Sequence, residues 1–114
     1  MNNYGIRDGY VSRPAPEYYA DVIPDGKIWQ EDVYRVAAYL ARESKSTRLV
    51  DIGCGRAHKL MKYAHLFELV GLDTGSNIEY CRSNYPGKWI DADLEKHFTA
   101  GQVPLEVFDN SVVI

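Results

Sequence analysis

The sequence predicts one α/β domain built on a mainly parallel β-sheet. Short apolar runs that stop at glycine or aspartate alternate with stretches in which apolar residues recur at helical spacing. Strands separated by helices are joined by right-handed crossovers, so this alternation indicates a parallel sheet. The 114 residues suffice for one domain with a core and are too few for two. We expect the strand order 3-2-1-4, the first half of a doubly wound sheet.

Residues 1–28 predict an N-terminal arm without a long regular element. Prolines at positions 14, 16 and 24 exclude one, and tyrosines at positions 4, 10, 18 and 19 argue against disorder. The arm is therefore expected to pack on a surface. Hydrophobic docking onto the helices of the domain and a covering role over a ligand both stay open.

The domain is predicted to span residues 29–114 and to begin with a helix over residues 30–42. The spacing i, i+3, i+4, i+7 predicts that its buried face is formed by Val33, Val36, Ala37 and Leu40. Acidic residues in its first turn and Arg42 near its end match the helix dipole.

Four apolar runs predict strands, at residues 48–52, 67–72, 88–92 and 111–114. Between the first two, a helix is predicted with an apolar stripe of Ala57, Leu60, Met61 and Ala64. After the second strand Ser76 is predicted to cap a helix that buries Ile78, Cys81 and Tyr85 and stops at the Pro86-Gly87 pair.

Residues 49–60, LVDIGCGRAHKL, join the first strand to the next helix through two glycines. Gly53 and Gly55 let a ligand approach the backbone closely, and a following helix would offer free N–H donors. A dinucleotide needs G-x-G-x-x-G, but the third glycine position is His58. Asp51 would repel a pyrophosphate, whereas it suits the sulfonium and ammonium of S-adenosylmethionine (SAM). The acid therefore favours SAM, unless it is a plain strand-end residue.

Asp73 follows the second strand, close to the offset of about 20 residues at which a ribose-binding acid is found. A carboxylate there can accept hydrogen bonds from both ribose hydroxyls. SAM and NAD share that ribose, so Asp73 does not choose between them. It is also placed to cap its own turn.

The segments DIGCG, VGLD, DADLEK and SVVI resemble motifs I to IV of the class I SAM-dependent methyltransferases, over about residues 47–114. The resemblance implies a Rossmann-like fold, SAM as the cofactor and methyl transfer as the reaction. The family pattern is D/E-x-G-x-G-x-G, and Ala57 stands in place of its last glycine.

The resemblance also assigns the cofactor site residue by residue. It implies that Gly53 and Gly55 line the methionine part of SAM, with Asp51 near the amino group, and that Asp73 binds the ribose. Asp93, followed by Leu94, matches the acid that contacts adenine; Asp91 is the alternative, and Asp93 is otherwise a solvated loop acid. The neighbouring Cys54 and Thr74 complete the predicted site. Cys54 is expected to be a small buried residue rather than a nucleophile.

The whole chain is more narrowly similar to methyltransferase domains of sugar and cell-surface biosynthesis, which implies a small-molecule or sugar-type acceptor. The family fold has seven strands, of which this chain supplies three and the start of a fourth. We therefore expect the chain alone, a fragment or a truncated protein, to have little activity. An unpaired fourth strand would favour self-association. No catalytic residue and no metal site are predicted.

Composition excludes several other classes. The net charge of −3 gives no basic excess for a nucleic acid, and no apolar run approaches the length of a membrane span. Two cysteines and the absence of a signal sequence predict a cytoplasmic protein. Two alternatives remain: a Rossmann domain that binds NAD or a nucleotide sugar, and a non-catalytic module with the same fold.

Overall fold

The computed structural model of the chain describes residues 31–93 and 103–114. The predicted arm at residues 1–28 and the predicted adenine neighbour Leu94 lie outside these residues. The helices are α1 (Glu31–Glu43) and α2 (Gly75–Asn84), and two short 3-10 helices cover Leu60–Tyr63 and Leu105–Phe108. The strands are β1 (Arg48–Ile52), β2 (Glu68–Asp73), β3 (Lys88–Asp91) and β4 (Ser111–Val113).

The four strands form one parallel sheet in the order β3-β2-β1-β4. This confirms the predicted order and the incomplete Rossmann-like α/β fold. The order places β1 between β2 and β4, so the segment that follows β1 lies near the middle of one sheet edge. Because all strands run in the same direction, their carboxyl ends meet at that edge.

Side chains alternate between the two faces of the sheet, as the pleat requires. On one face Leu49, Leu69 and Trp89 form a core with buried residues of α1 and α2. On the other face Val50 and Val70 pack in a second core, to which the segment around the second 3-10 helix contributes. Both faces of the strands are therefore apolar, which explains why the strands read as nearly continuous apolar runs.

Helix α1 packs on β1 and β4 through a different face from the one predicted. Its buried residues are Tyr34, Ala37 and Ala41, whereas Val33, Val36 and Leu40 are about half exposed, at 49%, 56% and 49%. The predicted face was therefore wrong at three of its four positions. Small residues allow the helix to lie close to the sheet, and Tyr34 turns inward because a buried polar group on β1 binds its hydroxyl.

The α-helix predicted after the glycine pair is not formed in residues 56–67, all of which the structure describes. Ala57 has a left-handed backbone, with φ of 60°, and its N–H donates to the carbonyl of Cys54 in a turn. A left-handed residue does not continue a right-handed helix. The chain resumes helical geometry only in the 3-10 helix, yet Ala57 and Leu60 are buried as the predicted stripe requires.

The start of α2 also differs from the prediction. Thr74, not Ser76, is the residue before the first helical turn, because the helix begins at Gly75. Ile78 and Cys81 are fully buried, as predicted, and the helix ends before Tyr85 and the Pro-Gly pair.

Strand β4 pairs with β1 and lies at the outside of the described sheet. Val113 at its end is 47% exposed. Self-association through this edge stays a prediction.

Candidate functional site

Three aspartates lie at the carboxyl edge of the sheet, each at or next to the end of its strand. Asp51 is the last residue but one of β1, and Asp73 and Asp91 end β2 and β3 in paired register. Asp51 is only 3% exposed, whereas Asp73 is half-buried and Asp91 is exposed. The three carboxylates at this edge therefore differ in their exposure to solvent.

The glycine loop, residues 53–57, continues from β1 between these acids. Its residues Gly53, Gly55 and Ala57 all have left-handed backbones, with φ of 78°, 56° and 60°. A Cβ built on either glycine would meet no atom within 4 Å, so space is open beside the bare backbone. A side chain would occupy that space and would also be strained by the positive φ, so glycine leaves room for a ligand there.

Four of the five N–H groups of the glycine loop donate hydrogen bonds within the chain. Those of Gly53 and Cys54 donate to the carbonyl of Leu72 at 2.7 and 3.1 Å, and that of Ala57 donates to the carbonyl of Cys54 at 2.9 Å. The N–H of Gly55 donates to Asp73 Oδ2 at 2.7 Å. The free N–H donors expected at a helix start are thus absent at these four positions, and with them the usual way of holding a pyrophosphate.

Asp73 holds the glycine loop against the end of β2. Its Oδ2 accepts from Gly55, and its Oδ1 accepts from the N–H of Thr74 at 2.7 Å. The capping role considered for this acid is therefore present in the structure. Each carboxylate oxygen can accept a second hydrogen bond, so the predicted ribose contact stays compatible with this geometry.

Asp51 is bound by Tyr34 of α1, a residue that the sequence analysis did not assign to the site. The Tyr34 hydroxyl on α1 donates to Asp51 Oδ2 at 2.7 Å, and both residues are buried. Lys59 is also buried, and its Nζ lies 5.1 Å from the centroid of the Tyr34 ring. The one signal available was the i, i+3, i+7 spacing of Tyr34, Ala37 and Ala41, which competed with the more apolar stripe.

Of the two cysteines, Cys54 belongs to the glycine loop and Cys81 of α2 lies against it. Both are buried and free, and each Sγ donates to the Gly55 carbonyl at 3.4 Å. Burial raises the pKa of the Cys54 thiol, and the neighbouring Cys81, Asp51 and Asp73 raise it further. Burial also raises the pKa of Cys81 to about 11, although the hydrogen bond with Cys54 lowers it. Both thiols are therefore protonated at neutral pH, and Cys54 packs in the core, as expected.

The two candidates for the adenine contact lie at the end of β3 and just after it. Asp91 Oδ1 accepts from the Gly75 N–H at a long 3.4 Å, so this acid faces the start of α2. Asp93 follows two residues later and is half-buried. Both alternatives for the adenine contact lie at the carboxyl edge, and the contact itself stays a prediction.

Among the described residues, no group of three or more His, Cys, Asp and Glu side chains lies close enough to hold a metal ion. In residues 31–93 and 103–114, no helix combines the length and the apolar character that crossing a bilayer requires. An open depression lined by Val103, Pro104, Leu105, Glu106 and Asp109 belongs to the opposite edge, because the second 3-10 helix leads into the start of β4.

Comparison with solved structures gives a related fold. The chain is similar to SAM-bound CalS10, an amino pentose methyltransferase from Micromonospora echinaspora involved in calicheamicin biosynthesis. The match has 27% identity and a TM-score of 0.51, and covers 63% of this chain and 32% of CalS10. The chain thus spans about a third of the protein that it matches.

Two structures of the plantazolicin methyltransferase BpumL, both in complex with SAH, also match. Each has 23% identity and a TM-score of 0.46, and covers 58% of this chain and 28% of BpumL. No family model and no curated protein matches the chain.

Proposed function

Because the chain has the fold of the class I SAM-dependent methyltransferases, we propose that its glycine loop binds SAM and that it serves methyl transfer to a small-molecule acceptor of the sugar type. The observation that carries the proposal is the buried Asp51 carboxylate beside a loop whose glycines leave open space. A buried carboxylate is a strong partner for a cationic ligand. SAM carries a sulfonium and an ammonium and has no phosphate.

The residues present fit this cofactor better than they fit a dinucleotide. The N–H groups of Gly53, Cys54 and Gly55 are engaged within the chain, so they are not available to a pyrophosphate. Asp51 and Asp73 would add repulsion to that ligand. The same acids suit a positively charged amino acid moiety and a ribose, respectively.

In this proposal each residue binds or orients, and none is assigned to catalysis. Asp51 accepts a hydrogen bond from the cofactor's amino group, while Gly53 and Gly55 allow its methionine part to lie against the backbone. Asp73 accepts from the ribose while it holds the glycine loop. The bound cofactor would supply an activated methyl group, and the chain would supply orientation and exclusion of water.

Cys54 and Thr74, which flank the glycine and aspartate positions, complete the proposed site. The adenine end is assigned to Asp93 and Leu94, with Asp91 as the alternative. The acceptor class rests on the similarity to CalS10, whose acceptor is an amino pentose.

Titration calorimetry with SAM, S-adenosylhomocysteine (SAH) and NAD tests the cofactor. We expect binding of SAM and SAH and none of NAD. Asp51→Asn should weaken SAH binding about tenfold to hundredfold, since a hydrogen bond to a charged group contributes about 1.5–3 kcal/mol. Glu68→Gln is the matched control, because Glu68 is an exposed acid at the other end of β2 and should leave affinity unchanged.

Binding of NAD without SAM or SAH would replace the proposal with the dinucleotide alternative. Transfer of labelled methyl from SAM to a panel of hydroxyl- and amino-bearing sugars tests the reaction. Transfer supports an enzyme. SAM binding without any transfer would favour the non-catalytic module instead.

A further inference from the structure

Tyr34 reaches from α1 to the acid of the proposed cofactor site. Its ring crosses the space between the helix and β1, and its hydroxyl donates to Asp51 Oδ2 at 2.7 Å. Tyr34 is 8% exposed and Asp51 is 3% exposed, so this hydrogen bond is removed from solvent. Neither residue is a sequence neighbour of the other, and the contact exists only because α1 packs on β1.

A buried carboxylate is costly unless donors within the protein replace its water. A phenol that donates to an ionised carboxylate forms a short and strong hydrogen bond, and the observed length lies in that range. The ammonium of Lys59, itself 7% exposed, lies over the face of the same ring. A cation there is attracted by the ring and polarises the phenol towards donation.

We propose that Tyr34 is a positioning residue for SAM, which fixes the Asp51 carboxylate so that it meets the amino group of the cofactor in one orientation. The inference rests on the proposed function and adds α1 to the cofactor site. The hydroxyl holds Oδ2 and thereby sets the plane of the carboxylate. The ammonium of Lys59 lies over the ring and supports the phenol there.

A purely structural role for Tyr34 makes a different prediction. If the hydroxyl only stabilised the packing of α1, its loss would weaken every ligand of the site alike. If it positions Asp51, its loss weakens only ligands that carry the amino group. The pair SAH and 5′-methylthioadenosine separates these cases, because the second keeps the adenosine and the sulfur but lacks the amino acid part.

The test is calorimetry of Tyr34→Phe with both ligands. We expect SAH to bind about tenfold more weakly, as for the loss of one hydrogen bond to a charged group, and 5′-methylthioadenosine to bind as to the wild type. Tyr39→Phe is the matched control. Tyr39 loses the same atom from the same helix, but it is 62% exposed, so both affinities should stay unchanged.

Equal losses for the two ligands, or no loss for SAH, would overturn the inference. If Tyr34→Phe does not fold, Lys59→Met keeps the phenol and should weaken SAH about threefold without affecting 5′-methylthioadenosine; equal effects there would also overturn it. If the wild type binds neither SAM nor SAH, it is the proposed function that fails.

Discussion

The two edges of the sheet are stabilised by side chains of different charge, a cation at one edge and carboxylates at the other. At the amino edge the Arg48 guanidinium donates to the carbonyls of Glu106 and Val107 at 2.8 and 3.0 Å. At the carboxyl edge carboxylates accept instead, Asp73 from two N–H groups and Asp51 from a phenol. The comparison indicates that the first edge is tied by a residue with a structural role, while the second collects negative charge beside open backbone.

The edges also differ in backbone geometry. At the carboxyl edge three of the five residues of the glycine loop are left-handed, and two of them are glycines with open space beside them. At the amino edge Lys45 and Asn110 are left-handed as single turn residues before β1 and β4. Three left-handed residues in one loop shape a surface, whereas isolated ones only reverse the chain.

The largest expected effect comes from adding a methyl group to the packed core beside the glycine loop. A Cβ on Gly71 in β2 would lie 2.6 Å from two atoms of the Trp89 ring and 2.7 Å from Cys54 Sγ. Gly71→Ala should therefore lower the free energy of unfolding by about 3 kcal/mol, by overpacking a filled core. Urea denaturation measures it, with the 71% exposed Leu105→Ala as a control expected to change by less than about 0.5 kcal/mol. An unchanged midpoint for Gly71→Ala would contradict the packing described.

Removing the cation of the amino edge should have the next largest effect. Arg48→Ala should lower the free energy of unfolding by about 2 kcal/mol, because two backbone carbonyls lose a charged donor. The ion pair between Arg48 and the half-exposed Glu68 contributes little to the free energy of unfolding. Arg48→Lys should recover only part of the loss, since an ammonium lacks the planar fork.

SAH affinity is the discriminating measurement for this variant. Under conditions in which Arg48→Ala remains folded, calorimetry should give the wild-type affinity, because the residue lies at the far edge. A loss of affinity comparable to that of Asp51→Asn would erase the distinction between the edges.

The smallest effect compares one left-handed residue from each edge. Lys45 is exposed and lies in the turn that follows α1. In this turn the Ser46 N–H donates to the Ala41 carbonyl at 2.8 Å. Lys45→Gly should stabilise by about 0.5–1 kcal/mol, since relief of the left-handed strain exceeds the added entropy of the unfolded chain. Ala57→Gly should stay within about 0.5 kcal/mol of wild type, because it also removes a buried methyl group. Thermal unfolding measures both, and a gain for Ala57→Gly as large as that for Lys45→Gly would contradict the burial of Ala57.

Much of the fold was predictable because its signals are local. Each strand is a short apolar run that ends at a turn residue, and the alternation of strands with helical spacing gives the parallel order. The positions of Asp51 and Asp73 at one edge follow from that order alone, because each stands at or next to the end of a strand.

The errors have a common physical origin in tertiary contacts. Val33, Val36 and Leu40 do form one apolar face of the helix. The helix nevertheless packs through the face of Tyr34, because the Tyr34 hydroxyl donates to the buried Asp51 carboxylate. The stripe of Ala57 and Leu60 is buried as predicted, yet the bond from Gly55 to Asp73 and the turn at Ala57 keep the segment from starting as an α-helix.

The sequence by itself determined the sheet, its order and the edge at which acids and glycines meet, since these depend on residue type and spacing along the chain. Tertiary structure alone decided what satisfies those acids: a phenol from α1 for Asp51, and N–H groups of the glycine loop and of Thr74 for Asp73. The physical reason is that a buried charge takes the nearest donor in space, and spacing along the chain does not encode which donor packing brings near.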